Sequence, residues 1–362
     1  MKININKYHI KFFKVGDKTK GGDAIVIELF DENDREHITI IDGGYKETGA
    51  KIVAYLKSKY GNIRNPIYID FVINTHPDLD HISGLKTILE SNDFKISYLI
   101  FNRPWKDGGL KKEIFDDKRI TANSLVDRIK EEFSIADDLE QIAKKRNIRI
   151  RCAKQGLSAY NGILTFLGPS DDFYKKHLLM SDKTPDNFLS KYNHPYVPTT
   201  TEEEDYTPVF GKTIEWYDDE QTSDVNETSL VIALMLGNFK ILFTGDAGKD
   251  ALNEALDYWE TLGYKSNTFS VVQLPHHGSR KNIDPNIIKR VKAQEYIISC
   301  PPEGEGHGHP SRRLINKILE ITPNAKIYMT GEKNFNFHKG IKVNYSPQTP
   351  QGVKPKMDGK TK

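Results

Sequence analysis

The sequence predicts a mixed α/β fold built as a sandwich, and three observations predict it. Short apolar runs of strand length alternate with helix-period segments in both halves of the chain. Several of those runs end in Asp or His followed by a small residue, so that strand ends can deliver polar groups to one edge. Apolar residues make up 37% of the 362 residues and charged residues 28%, enough to bury a large core and too apolar for general disorder.

Element by element, the first third reads as a meander of antiparallel strands at Tyr8–Val15, Ala24–Phe30, Ile38–Ile41 and Phe71–Asn74, separated by Gly, Asp and Asn turns. Helical spacing appears over Lys51–Tyr60, with Ile52, Val53 and Leu56, and over Ser83–Asn92, with Leu85, Ile88 and Leu89. From Arg103 to Ala136 the pattern is charged and helical, and a short helix Leu139–Lys145 leads to strand Ile148–Ala153 and then Ile163–Leu167. Ser170–Asp224, with TTTEEED at its middle, has no sustained period and reads as a long acidic loop, a candidate lid.

A second αβ half follows: strands Ser229–Leu236 and Lys240–Thr244, helix Lys249–Leu262, strand Phe269–Leu274, helix Pro285–Val291, strand Glu295–Ser299, helix Arg312–Ile321 and strand Lys326–Met329. The expected organisation is one domain over 1–345, with insertions at about 103–136 and 171–224. The Pro/Gly/Lys-rich tail 346–362 is expected to be disordered.

With 52 basic against 50 acidic residues the net charge is +2, so no global field drives the chain onto a polyanion and any such substrate must be gripped locally. The N-terminus lacks the apolar core of a signal peptide, and no window approaches ~18 uninterrupted apolar residues. Cys152 and Cys300 form no CxxC spacing and read as reduced core residues. A cytoplasmic protein without membrane attachment is expected.

His76, Asp78, Asp80 and His81 crowd four potential ligands into the six residues HPDLDH after an apolar strand. Imidazole and carboxylate without thiolate suit a divalent ion such as Zn or Mn rather than a structural zinc knot. Two further strands end the same way: KILFTGDAG supplies Asp246, and VVQLPHHGS supplies His276 and His277. ITIIDGG places Asp42 at another strand end, where a carboxylate can orient a ligating imidazole. Singly, HPDLDH is also compatible with a surface turn, and a lone TGD or HH is usually a turn or a satisfied polar pair; together, their order carries the assignment.

That order, IDGG, HPDLDH, NETSLV, LFTGDA, LPHHGS and GHP, resembles the metallo-β-lactamase superfamily, specifically the soluble hydrolase domain of the ComEC competence proteins. The similarity begins at VGDKTKGGDAIVIEL, which looks like that family's VGQGDA opening, and includes GILTFLGPS and CPPEGEGHGHPS. The resemblance implies an αββα sandwich and a site for two divalent ions, Zn or Mn, with Mg compatible. His76 and Asp78 would ligate one ion, Asp80, His81 and one of His276 and His277 the other, and Asp246 would bridge. The superfamily writes HxHxDH; Asp78 replaces the middle His, and this harder oxygen ligand shifts preference toward Mn or Mg. Asn226 stands where a third His of the first site is usual, which implies a weaker first site.

The resemblance further implies hydrolysis by a metal-activated hydroxide, with Asp80 steering the attack and His309, of GHGHPS, binding a phosphate or protonating the leaving group. Ser279, Arg280 and Lys281 follow the histidines directly and favour an anionic substrate. A nuclease or phosphodiesterase acting on nucleic acid or a nucleotide is therefore expected. Tyr206, Trp216 and Tyr217 are candidates for base stacking or for local packing of the insertion. Acidic residues 201–205 would repel a polyanion unless they swing aside or dock a partner. Two alternatives stand beside it: a hydrolase of small esters, lactones or phosphocholine-type esters, and a weakly active subunit, possible in a defence system, that binds protein partners through its insertions.

Overall fold

The computed structural model describes residues 5–16, 20–115, 119–184, 216, 221–300 and 309–331. Its first sheet has the order β1 (Ile5–Phe12), β2 (Ala24–Asp31), β3 (Glu36–Gly43), β4 (Ile67–Ile73), β5 (Phe94–Ile100) and β6 (Arg149–Arg151). Its second sheet runs β13 (Lys326–Met329), β12 (Glu295–Ile298), β11 (Val271–Gln273), β10 (Phe239–Phe243), β9 (Val231–Leu236), β8 (Leu164–Gly168) and β7 (Ser158–Ala159). Within each sheet one half is antiparallel and the other parallel: β1 to β3 against β3 to β6, and β7 to β10 against β10 to β13.

Side-chain alternation along the strands builds three cores. On β2, Ile25, Ile27 and Leu29 face the other sheet and meet Phe166, Ile232, Leu234, Ile241 and Phe243 in a shared central core. Ala24 and Val26 face outward, under α1 (Lys46–Tyr60), α2 (Leu79–Glu90), α3 (Ala122–Glu132) and α4 (Ser134–Lys145). On the opposite side, Val231, Ala233 and Leu242 pack beneath α7 (Lys249–Thr261), α8 (Pro285–Arg290) and α9 (Arg312–Ile321). The layers are therefore αββα, the metallo-β-lactamase fold that the resemblance implied.

Four expectations need correction. The first third is not an antiparallel meander, because α1 and α2 carry the chain across to make β3, β4 and β5 parallel. β5 itself escaped the reading: FKISYLI mixes charged and apolar residues and is buried at Phe94, Ile96, Leu99 and Ile100. The stretch from Ser170 is not all loop, since α5 (Asp171–Met180) follows an N-cap Ser170 that accepts from the Phe173 amide, and α6 (Asp224–Glu227) is capped by Ser223. Finally, α2 begins at Leu79 rather than near Ser83, so Asp80 and His81 lie on its first turn and not in a loop. An acidic side chain in that position is favoured by the helix dipole.

The acidic run 201–205, Tyr206, Tyr217 and the tail 346–362 lie outside the described residues. Trp216 is half-buried against the core of the second sheet. Cys300 is buried, whereas Cys152 is only partly so, and both are free thiols. Among the described residues, no helix is long and apolar enough to cross a membrane.

Candidate metal centre

The parallel halves of the two sheets align their strand C-termini along one edge, the usual place for a ligand in open α/β sheets. His76 follows β4, Asp246 follows β10, and His276 and His277 follow β11. Asp42 ends β3 itself. Asp23 and Asn226 reach the same edge because they precede β2 and β9, which run antiparallel to β3 and β10. Asp42, His276 and His277 hold φ of 53°, 46° and 55°. Non-glycine residues occupy this left-handed region at a cost and cluster at functional sites.

The two sheets meet in a cluster of imidazoles and carboxylates. His76 Nε2 lies 3.6 Å from Asp246 Oδ2 and 3.5 Å from Asp78 Oδ2. His81 Nε2 lies 3.2 Å from Asp246 Oδ1 and 3.7 Å from Asp80 Oδ2, and His277 Nε2 lies 3.2 Å from Asp80 Oδ2. His76, His81, Asp246 and His277 are buried, and Asp78, Asp80 and His276 face the opening. His276 approaches Asp246 at 3.7 Å.

Hydrogen bonds on the far side of each ring fix which nitrogen faces the cluster. His81 Nδ1 donates to Asp42 Oδ2 at 2.9 Å, and His277 Nδ1 donates to the Ser299 carbonyl at 2.7 Å. Thr75 Oγ1 gives its single proton to Asp42 Oδ2 at 2.6 Å, so toward His76 Nδ1, 3.2 Å away, it can only accept. Each ring thus turns its Nε2 toward the centre, His277 Nε2 meeting Asp80 Oδ2 at 3.2 Å. Asp42 also accepts from Asn74 Nδ2 and the Thr75 amide, at 3.2 and 2.8 Å.

Among the described residues, the cluster leaves buried polar atoms without hydrogen-bond partners: His76 Nε2, His81 Nε2, Asp246 Oδ1, Asp23 Oδ1 and Asn226 Oδ1. Orphaned buried groups are rare because each costs free energy. Four overlapping sets of ligand atoms are close enough to share an ion: His76, His81 and Asp246; Asp80, His81 and His277; Asp23, Asp42 and His81; Asp23, Asp246 and His277. The donor set, imidazole nitrogen and carboxylate oxygen with no thiolate, fits divalent metal.

Electrostatics point the same way. Burial pushes Asp246 up, but His81, His276 and His277 reverse this and hold it well below the usual carboxylate range. Burial disfavours a charged His81, yet Asp246 and Asp80 draw its pKa well above the ordinary imidazole value. The cavity favours positive charge. Asp78 is likewise held low, burial being outweighed by His76 and Lys183.

The remaining expected residues also gather here. Asn226 is buried, with Nδ2 on Thr222 Oγ1 at 2.8 Å and 3.3 Å from His276 Nδ1. His309 is buried with its ring 5.1 Å from that of His276, and burial beside His276 and His277 pushes it well below the imidazole range. Ser279 is buried and accepts from the Lys281 amide at 3.3 Å, and Arg280 lies half-buried on the same turn.

Three residues were missed. Asp23, buried and 3.8 Å from His81 Nδ1, sits within the quoted VGDKTKGGDAIVIEL, where its place before a strand was a usable signal. Asn282 holds His276 Nδ1 at 3.1 Å and the Asp246 carbonyl at 2.8 Å. Lys183 donates to Asp78 Oδ1 at 2.8 Å; nothing in its surrounding sequence marks it.

A family model of the Metallo-beta-lactamase superfamily matches residues 19–135. This span carries Asp42 and the HPDLDH segment, and the match supports that superfamily, whose members are generally hydrolytic enzymes that bind divalent metal, typically zinc. Comparison with curated proteins finds no match. Among solved structures the chain is similar to a long form RNase Z from yeast, at 11% identity and TM-score 0.38 over 96% of this chain and 41% of that one. It is also similar to the Rm3 metallo-beta-lactamase, at 11% identity and TM-score 0.33 over 87% and 91% of the two chains. MIM-1 from Novosphingobium pentaromativorans gives 9% identity and TM-score 0.30 over 86% and 90%.

Proposed function

We propose that this protein is a metal-dependent phosphodiesterase, acting on nucleic acid or a nucleotide. One observation carries the metal reading: His76 and His81, each held from behind at Nδ1, turn Nε2 atoms that have no hydrogen-bond partner among the described residues toward one buried carboxylate, Asp246. His76 and Asp78 would hold one ion, Asp80, His81 and His277 a second, with Asp246 between them. His277 is chosen over His276 because it is the more buried of the two and shares ligand sets with Asp80 and Asp246, whereas among the described residues His276 belongs to no such set. Bound there, divalent ions such as Zn, Mn or Mg supply Lewis acidity that lowers the pKa of a water toward ~7 and polarises a phosphoryl oxygen.

The chain's own residues do the rest. Asp42 and Thr75 hold the tautomers of His81 and His76. Asp80, at the opening, orients the attacking water. His309 stands beside His276, where its neutral ring can hydrogen-bond a substrate oxygen; held well below the imidazole range, it is not the proton donor that the resemblance also allowed. The phosphodiester class is supported by the resemblance of the motif order to that of the ComEC-like hydrolase domain and by the basic turn after His277. We place the protein in the cytoplasm, with protein partners docking through the insertions.

The test is cleavage of end-labelled single- and double-stranded DNA and RNA with Mn, Mg or Zn, beside an Asp80→Ala/His81→Ala double variant. Metal-dependent cleavage that vanishes in the variant is expected. Metal binding without cleavage of any nucleic acid would shift the reading to small esters or lactones, and cleavage that survives in the variant would end it.

A further inference from the structure

Lys183 is the residue that the proposed chemistry does not yet use. It follows α5 on a turn held by buried groups: the Lys183 amide donates to Ser181 Oγ at 3.1 Å, the Thr184 amide donates to the Ser181 carbonyl at 3.0 Å, and Thr184 Oγ1 donates to the Leu178 carbonyl. Ser181 and Thr184 are both buried. From this anchor the side chain crosses the ring of Phe133, 5.4 Å from its centroid, and its ammonium reaches Asp78 Oδ1 at 2.8 Å. Phe133 joins α3 to α4, so two separate additions to the sheets deliver one cation to the metal loop.

Asp78 divides its two oxygens. Oδ2 faces His76 Nε2 and Oδ1 faces Lys183. A divalent ion held by His76 and Asp78 Oδ2 therefore leaves the Lys183 contact in place. The ammonium has three donors, and among the described residues it spends one, on Asp78. Lys183 and Asp78 are 31% and 32% exposed, so the remaining donors lie at the mouth rather than in the protein interior.

Charge gives this cation a purpose. Asp23, Asp42, Asp78, Asp80 and Asp246 crowd one cluster, and two divalent ions, if bound there, would leave it with residual negative charge. An anionic substrate approaching that cluster needs a further cation at the mouth. We propose that Lys183 is a substrate-binding residue: parked on Asp78, its ammonium takes a non-bridging oxygen of a phosphate and so selects anionic diesters over neutral esters. This rests on the metal-hydrolase reading above and names its substrate class.

The test compares full-length wild type, Lys183→Gln and Lys183→Arg. Calorimetric titration with Mn²⁺ reads the metal sites, and titration of the Mn-loaded proteins with inorganic phosphate reads the anion site. Steady-state rates follow on bis(p-nitrophenyl) phosphate and on neutral p-nitrophenyl acetate. Lys183→Gln is expected to weaken phosphate binding about tenfold, the order lost with one charge-assisted contact, and to raise KM for the diester similarly. Its kcat, its Mn²⁺ stoichiometry and its KM for the neutral ester should stay near wild type, and Lys183→Arg should restore phosphate affinity. Unchanged phosphate affinity with intact metal binding overturns the Lys183 proposal alone, and so does a Lys183→Gln protein that loses Mn²⁺, because Lys183 would then serve only the metal ligand. A wild type that binds no Mn²⁺ overturns the metal reading and takes the Lys183 proposal with it.

Discussion

Among single residues, Asp42 and Glu28 show what a buried carboxylate can do in this chain. Asp42 accepts four hydrogen bonds and sets the His81 tautomer. Asp42→Ala should therefore weaken divalent ion binding about 10- to 100-fold, the usual cost of losing such a partner, as read by calorimetry; unchanged affinity would mean His81 is not a ligand. Glu28 instead stabilises the fold. It continues the helix-facing row of β2 and receives His9, Tyr55 and Lys59 at 2.5, 2.7 and 2.7 Å, with Tyr60 as a fourth donor. Burial raises its carboxyl, but these partners outweigh burial and bring it down to about 2. Because the folded value lies below the ordinary 4.5, the stabilisation is full above that pH and is lost as pH falls toward about 2. Glu28→Gln should cost about 2–3 kcal/mol at pH 7, and the gap to wild type should narrow in urea melts at pH 3. A gap that stays constant with pH would contradict the assignment.

At the scale of elements, the packing of α2 decides where Asp80 and His81 sit. Its Gly84 lies so close to β3 and α1 that an added Cβ would meet the Gly43 carbonyl oxygen at 1.9 Å, and the Gly84 amide donates to the Gly44 carbonyl at 2.7 Å. Gly84→Ala must push the helix away. We expect a loss of about 2–3 kcal/mol, in the range of overpacked cores, with metal affinity falling as well; a thermal melt within 1–2 °C of wild type would refute this close packing. The contact explains part of what the sequence made legible. Periodicity located α7 and α9 well, since each shows one apolar face, and found α1 only from Lys51 although it begins at Lys46. It misplaced the start of α2, because Leu79 is 56% exposed and the first turn carries ligands rather than core residues. It passed over β5 and α5, whose charged residues break the pattern although their buried faces are intact.

Across the whole molecule, the two sheets are joined through the central core and, at one edge, through His76 and His81 on one side and Asp246 and His277 on the other. Strand ends in the sequence announced that edge, because a polar residue directly after an apolar run has few other places to go. Asn282 and Lys183 were illegible for the opposite reason: their roles come from the turn after His277 and the anchoring of α5, which no local pattern encodes. Ions that bind the folded site and not the unfolded chain should stabilise the entire fold. Chelation should lower the melting temperature by about 5 °C, as expected for loss of a ligand present at ~100 times its Kd, and Mn²⁺ or Zn²⁺ should restore it.

The central claim is that His76, Asp78, Asp80, His81, Asp246 and His277 hold divalent ions, and metal titration of chelator-treated protein tests it most directly. Wild type is expected to bind about two equivalents of Mn²⁺ or Zn²⁺, with the first site weaker, and Asp246→Ala to lose tight binding at both. Wild type without saturable binding, or an Asp246→Ala variant that binds as wild type does, would contradict the account.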